Sequence, residues 1–151
     1  MPDRPGNGIA FEGCTPILSV LSLDRSLDFY VTSLGFAVEW QEPGFASVRR
    51  GRVGLFLCEG DQGHPGGWVW IGVGDSEALH ADLLARGVPI RHAPTNYPWA
   101  LEMQVEDPDG NVLRLGSEQK EGAPTGEWLD MRGVRWIPQR DGEWRRGSST
   151  G

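Results

Sequence analysis

The sequence predicts an α+β fold made of two tandem βαβββ modules, and three observations carry that reading. First, Asp107-Pro108-Asp109-Gly110-Asn111 joins two runs of alternating polarity, with Pro to fix φ and Gly or Asn for the left-handed position, so residues 98–116 form a hairpin. Second, the order of one strand, one helix and three strands occurs twice, with Leu34-Gly35-Phe36 and Arg86-Gly87-Val88 at matching places after each helix. Third, 22 Gly and 11 Pro in 151 residues favour turns and short strands over helix bundles.

Within the hairpin, Leu101, Met103 and Val105 share one face and Glu102, Gln104 and Glu106 the other. If Glu106 pairs with Val112, Gln104 stands opposite Arg114 and Glu102 lies one pair further along. A solvated outer face and a ligand-facing floor both fit that pattern.

In the first module, Thr15–Leu21 is an apolar strand rich in β-formers. Ser22 or Asp24 caps a helix whose Leu23, Leu27, Tyr30, Val31 and Leu34 recur at helical spacing until Gly35. Strands follow at Phe36–Gln41, Phe45–Arg50 and Val53–Cys58, the last two joined by a turn tight enough to force antiparallel pairing. The Gly-rich loop 59–67 divides the modules. In the second module, Trp68–Val73 is a strand, and Asp75 or Ser76 caps a helix with Leu79, Leu83 and Leu84 toward the core. Another strand begins within Val88–His92, and the hairpin completes the set.

These assignments divide the chain into a flexible N-terminus 1–12, a domain 13–118 with modules 13–58 and 67–118, and a C-terminal tail 119–151. The tail holds three of the seven tryptophans, Trp128, Trp136 and Trp144, evenly spaced, and repeats Gly126-Glu127-Trp128 as Gly142-Glu143-Trp144. Free tails rarely keep such large aromatics, so Trp128–Trp136 is expected to dock on the body or a partner subunit, leaving Arg146–Gly151 disordered.

Fourteen basic and 21 acidic residues give a net charge of −7, which argues against nucleic acid as a partner and favours cationic ligands. Residues 1–12 carry no apolar run, so neither a signal peptide nor a membrane helix is expected there, and a cytoplasmic protein is the default. Cys14 and Cys58 cannot form a disulfide framework or a Cys-rich zinc site, although counting alone leaves one bridge open.

The segments Ser26-Leu27-Asp28-Phe29-Tyr30, Leu34-Gly35-Phe36, Gly44-Phe45-Ala46 leading into Val53–Leu57, Trp68-Val69-Trp70, and Pro98-Trp99 with Glu102 ahead of Asp107–Asn111 resemble the vicinal oxygen chelate superfamily. That superfamily contains glyoxalase I, extradiol dioxygenases and bleomycin-resistance proteins, and the bleomycin-resistance type is the nearest look. The resemblance covers residues 13–118 and implies a homodimer whose curved mixed sheets enclose cavities. In metal-using members four side chains hold a divalent ion, and alignment on this chain puts Thr15, Leu55, Trp68 and Arg114 at those positions. Leu and Trp cannot coordinate, Arg is a fixed cation and a lone Thr hydroxyl is weak, so no metal and no other cofactor is expected. His64, His80 and His92 lack the paired spacing of a metal site and read as surface residues. In the resembled topology Cys14 and Cys58 lie at opposite strand ends, too far apart to bridge, and both read as inert buried thiols.

If Trp68 and Arg114 face the cavity, alternation brings Trp70, Gln104 and Glu102 to the same side. Trp40, Phe45, Phe56, Tyr97 and Trp99 are further candidates for its walls or for the dimer seam, with plain core packing the alternative for each. The function expected is stoichiometric sequestration of a bulky, partly aromatic or cationic small molecule at the dimer interface, without catalysis. Two alternatives remain at this level. One is a metal-free enzyme with Glu102 as general base and Arg114 as electrostatic partner. The other is an interaction module whose tail fills the cavity.

Overall fold

The computed structural model describes residues 8–147. In the first module β1 (Ile17–Ser19) leads into α1 (Leu23–Leu27), a π-helical segment Asp28–Ser33, and then β2 (Ala37–Glu42), β3 (Phe45–Arg50) and β4 (Val53–Cys58). The second repeats the order with β5 (Trp68–Gly72), α2 (Ser76–Ala85), β6 (His92–Asn96), β7 (Leu101–Glu106) and β8 (Val112–Ser117). Three short strands close the chain, β9 (Trp128–Leu129), β10 (Arg135–Pro138) and β11 (Trp144–Arg146), paired in the order β11-β10-β9.

The modules share one topology. The sheets run β1-β4-β3-β2 and β5-β8-β7-β6, with β1 parallel to β4, β5 parallel to β8, and every other neighbour antiparallel. Glu106 pairs with Val112 and Gln104 with Arg114, the register supposed for the hairpin's alternation. Gly110, at φ 82°, takes the left-handed position of that turn.

Both helices start on side-chain caps. Ser22 Oγ accepts from the Arg25 amide at 3.2 Å and Asp75 Oδ1 from the Ala78 amide at 3.0 Å, satisfying first-turn donors that no helical carbonyl can reach. Glu59, from the loop after β4, takes the Leu23 amide at 2.6 Å. The first helix is not regular to its end. It widens after Leu27, with the Leu34 amide bonded to the Phe29 carbonyl at 3.0 Å, and Gly35 stops it at φ 76°.

One core joins both modules, running through Leu23, Tyr30 and Leu34 on the first helix, Leu55 and Leu57 on β4, Leu83 on α2, and Met103, Val105, Leu113 and Leu115 on the last hairpin. The hairpin turn clasps the modules. Asp107 Oδ2 accepts from the buried Tyr30 hydroxyl at 2.8 Å, Asp109 Oδ1 from Arg25 at 2.8 Å and from the Leu21 amide at 3.0 Å. Asn111 donates to the Ser19 carbonyl at 3.0 Å and accepts from the Gly67 amide at 2.9 Å.

Several sequence expectations are corrected. Leu84 is 53% exposed: consecutive helical residues lie about 100° apart, so Leu79 and Leu83 form the buried stripe and Leu84 turns outward. The strand expected within Val88–His92 starts only at His92, because Pro89 cannot donate to a ladder, and Pro94 is tolerated there because β6 is an edge strand with a register shift. Cys14 is exposed rather than buried, since β1 begins at Ile17 and leaves it on the preceding extended segment, while Cys58 is buried at the far end of β4. Arg146 belongs to β11 and the Gly147 amide bonds to the Arg135 carbonyl at 2.7 Å; the rest of the expected loose end, 148–151, and residues 1–7 of the expected flexible N-terminus lie outside the described residues. No helix among the described residues is long and apolar enough to cross a membrane.

Burial pushes the Tyr30 hydroxyl well above its ordinary pKa, and the Asp107 charge pushes the same way. An unfolded tyrosine ionises near pH 10, so this contribution is intact below about pH 10 and is lost above it as the unfolded state sheds its proton first. Tyr30→Phe should therefore lower stability by about 1–2 kcal/mol at pH 7 and flatten the decline above pH 10, as urea unfolding at the two pH values would read. A thiol reagent should titrate one cysteine, Cys14, in the native chain and Cys58 only after unfolding.

Candidate functional site

Strand alternation sorts the second sheet into two faces. Val69, Ile71, Met103, Val105, Leu113 and Leu115 enter the core beneath the helices, which turns Trp68, Trp70, Glu102, Gln104, Arg114 and Gly116 to the opposite face. Glu102 and Gln104 are each only 1% exposed, so this is no solvated surface. A buried carboxylate must be paired, and Glu102 is. Its Oε1 accepts from Arg114 Nε at 2.7 Å, and its Oε2 accepts from the indole N–H groups of Trp70 at 3.1 Å and Trp99 at 3.0 Å. The two rings are thereby fixed in place while remaining half exposed. Trp70 lies across β8 because Gly116 has no side chain: a Cβ there would stand 2.7 Å from the ring.

The C-terminal segment covers the rest of this face. The Trp128 ring sits 5.6 Å from Tyr97, 6.1 Å from Trp99 and 6.2 Å from Trp68, with the Arg114 guanidinium 4.8 Å from its centroid. Tyr97 and Trp99 stack at 4.9 Å. Backbone carbonyls flanking Trp128 take the polar groups of the face. Glu127 O accepts from the Tyr97 hydroxyl at 2.5 Å, Leu129 O from the Gln104 amide at 3.0 Å, and Asp130 O from Arg91 at 2.6 Å. Arg91 also bonds to Gln104 and lies 5.3 Å over Trp68. Burial pushes the Tyr97 hydroxyl up to about 12, so it stays a donor at neutral pH.

The corresponding face of the first sheet carries a half-buried aromatic cluster. Trp40 stacks on Phe45 at 5.6 Å, and Phe56 lies 5.5 Å and 5.4 Å from them. Beside this cluster Glu39 accepts from Ser47 Oγ at 2.8 Å and from Arg49 Nε at 2.9 Å. Every residue of β2, the sheet's edge strand, is exposed, with Trp40 at 42%.

The sequence-derived candidates thus fall into two groups. Trp68, Trp70, Tyr97, Trp99, Glu102, Gln104 and Arg114 come together on the second sheet, while Trp40, Phe45 and Phe56 form a separate cluster on the first. Sequence reasoning missed Ser47 and Arg49, which the alternation from Phe45 would have found. It also missed Arg91, which no periodicity places because it precedes an irregular strand. A largely apolar groove of about 590 Å³ lies elsewhere, between the modules, lined by Phe36, Val53, Ile71, Leu79 and Leu83. It holds none of these groups.

The four positions of a metal site do not fit a metal. Thr15 is exposed on the segment before β1, Trp68 and Arg114 are engaged as above, and Leu55 is buried in the core on the helix side of β4, contrary to the cavity position the resemblance implied. Its neighbours across the pleat, Gly54 and Phe56, carry no donor either. Among the described residues no three His, Cys, Asp or Glu converge on a cation site.

The sequence model of the glyoxalase/bleomycin resistance protein/dioxygenase superfamily matches residues 14–115. The chain belongs to this superfamily. Solved superfamily structures agree in fold. The bleomycin-binding protein of bleomycin-producing Streptomyces verticillus, complexed with copper(II)-bleomycin, is 29% identical with a TM-score of 0.63, over 74% of this chain and 99% of that one. TnmS3, an antibiotic-binding protein from Streptomyces sp. CB03234, is 27% identical with a TM-score of 0.64, over the same shares of 74% and 99%. A lactoylglutathione lyase from Agrobacterium tumefaciens shares the fold at 20% identity and a TM-score of 0.61, over 74% of this chain and 97% of that one. No curated protein matches the chain.

Removing the Glu102 carboxylate would leave Arg114 and two indole donors without their acceptor. Glu102→Ala should cost about 3 kcal/mol and red-shift tryptophan emission as Trp70 and Trp99 swing free. Gly116→Ala should displace Trp70 alone, with the same spectral sign but under about 1 kcal/mol of stability lost, because an exposed ring can move aside.

Proposed function

We propose that this protein binds a bulky, partly aromatic small molecule and withholds it, without chemical change, in a cavity completed by a second copy of the chain. The observation that carries this reading is the bonding of Glu102: Arg114 occupies one oxygen and two indole N–H groups the other. This carboxylate is 1% exposed and commits three of its four acceptor directions to orienting Arg114 and the two rings, so Glu102 and Arg114 serve binding rather than general-base catalysis. Half-exposed indoles offer flat stacking surfaces, and cations over them gain about 0.5–2 kcal/mol. A net charge of −7 attracts cationic ligands. The donor chemistry of the four metal positions supports a site that works without metal.

The antibiotic-binding relatives favour an antibiotic of the bleomycin type as the ligand class. Homodimerisation is supported by the exposed edge strand β2 and the exposed Trp40 that adjoins Phe45 and Phe56, surfaces that a partner would close. A cytoplasmic location goes with this role.

Metal-free bleomycin and flat aromatic cations should quench tryptophan fluorescence, saturate at one ligand per cavity and be recovered unchanged. Trp40→Ala should weaken that binding about three- to tenfold with little change in melting temperature, since Trp40 is 42% exposed. Turnover of the ligand would instead establish an enzyme.

A further inference from the structure

We infer that the C-terminal segment is a built-in ligand of the second module's aromatic face, and that this face recognises an indole-sized ring flanked by amide carbonyls, the chemistry of tryptophan within an extended peptide. The inference rests on the reading that this face is a ligand surface.

Three observations carry it. The segment is an addition to the shared fold, because the family match ends at residue 115. It is also not built into either module's sheet: β9 pairs with β10, and past Gly126 it meets the body through side chains. There the body's side chains are the donors and main-chain carbonyls of the segment are the acceptors. Tyr97 donates to Glu127 O, Gln104 to Leu129 O and Arg91 to Asp130 O, so any chain with carbonyls at that spacing would satisfy them. Between these bonds one side chain, Trp128, enters the aromatic cluster and takes the Arg114 cation on its face.

The anchor of the segment lies to one side. The Gly126 amide bonds to the Asn96 carbonyl at 2.9 Å, and the Asn96 side chain holds the Lys120 and Ala123 carbonyls at 3.0 and 3.1 Å. Residues past Gly126 can therefore lift away while the connection to β8 stays in place. With the segment lifted, a ring stacked beside Trp68, Tyr97 and Trp99 and its flanking carbonyls would replace Trp128 group for group. An external ligand competes with the chain's own.

The test uses the full chain and the acetylated, amidated pentapeptide Gly-Glu-Trp-Leu-Asp, which copies residues 126–130. The Trp128→Gly chain should bind this peptide about tenfold or more tighter than the wild type, and a peptide with alanine in place of tryptophan should lose that binding. In the wild-type chain, which needs no substitution to fold, saturating peptide should speed hydrogen exchange across residues 127–147, whose three short strands would lose their packing on the body. A purely structural tail would not respond in this way. Equal affinity for both chains, or slowed exchange in the tail, would overturn the inference. If a flat aromatic cation such as acridine orange binds while the peptide does not, the small-molecule reading stands and the self-ligand falls. If neither binds, both fall.

Discussion

The Asp107–Asn111 turn is the contact on which the other features depend. Its side chains reach back to the first module at Ser19, Leu21, Arg25, Ser26 and Tyr30, and across to Gly67 at the start of the second. Asp107 is 5% exposed and Asn111 is fully buried, so the Tyr30–Asp107 bond forms where water cannot substitute for it. The same turn sets the phase of β7 against β8. A slip of one residue would exchange Met103, Val105 and Leu113 for Glu102, Gln104 and Arg114, placing charges in the core and apolar side chains on the open face.

With that phase set, the two modules differ in what their sheets present. Each has a helix-covered side that is continuous with one core, and each has an aromatic side turned away from it. In the second module the aromatic side is closed by Trp128 and its neighbouring carbonyls, and its edge strand β6 is tied to the tail through Asn96. In the first module the edge strand β2 is exposed, and Trp40 stands 42% exposed beside the half-buried Phe45 and Phe56. One topology thus yields a filled half-site and an open one. The difference lies entirely in where the C-terminal segment goes.

Much of the fold was legible because its signals are local. The bounds of β3 and β4 and the hairpin follow from alternation and turn residues within a few positions, and Ser22 and Asp75 are each one of the two caps that capping chemistry offered. The errors came where a local pattern admits two geometries. Leu83 and Leu84 cannot both face one core, and Leu55 and Phe56 lie on opposite sides of one pleat, so an alignment displaced by one residue inverts the role of each. The widening after Leu27 leaves no mark in the hydrophobic spacing.

By itself the sequence determined the two βαβββ modules, the closing hairpin and the unsuitability of Trp68 and Arg114 as metal ligands, because each depends on residue type or on spacing along a short stretch of chain. Only the tertiary structure decided that Glu102 holds Trp70, Trp99 and Arg114 at once, that the candidate aromatics divide between two sheets, and that Trp128 occupies the face they were expected to leave open. Those contacts join strands and segments far apart in the sequence, and which of them forms depends on how two sheets and a tail fill the same space.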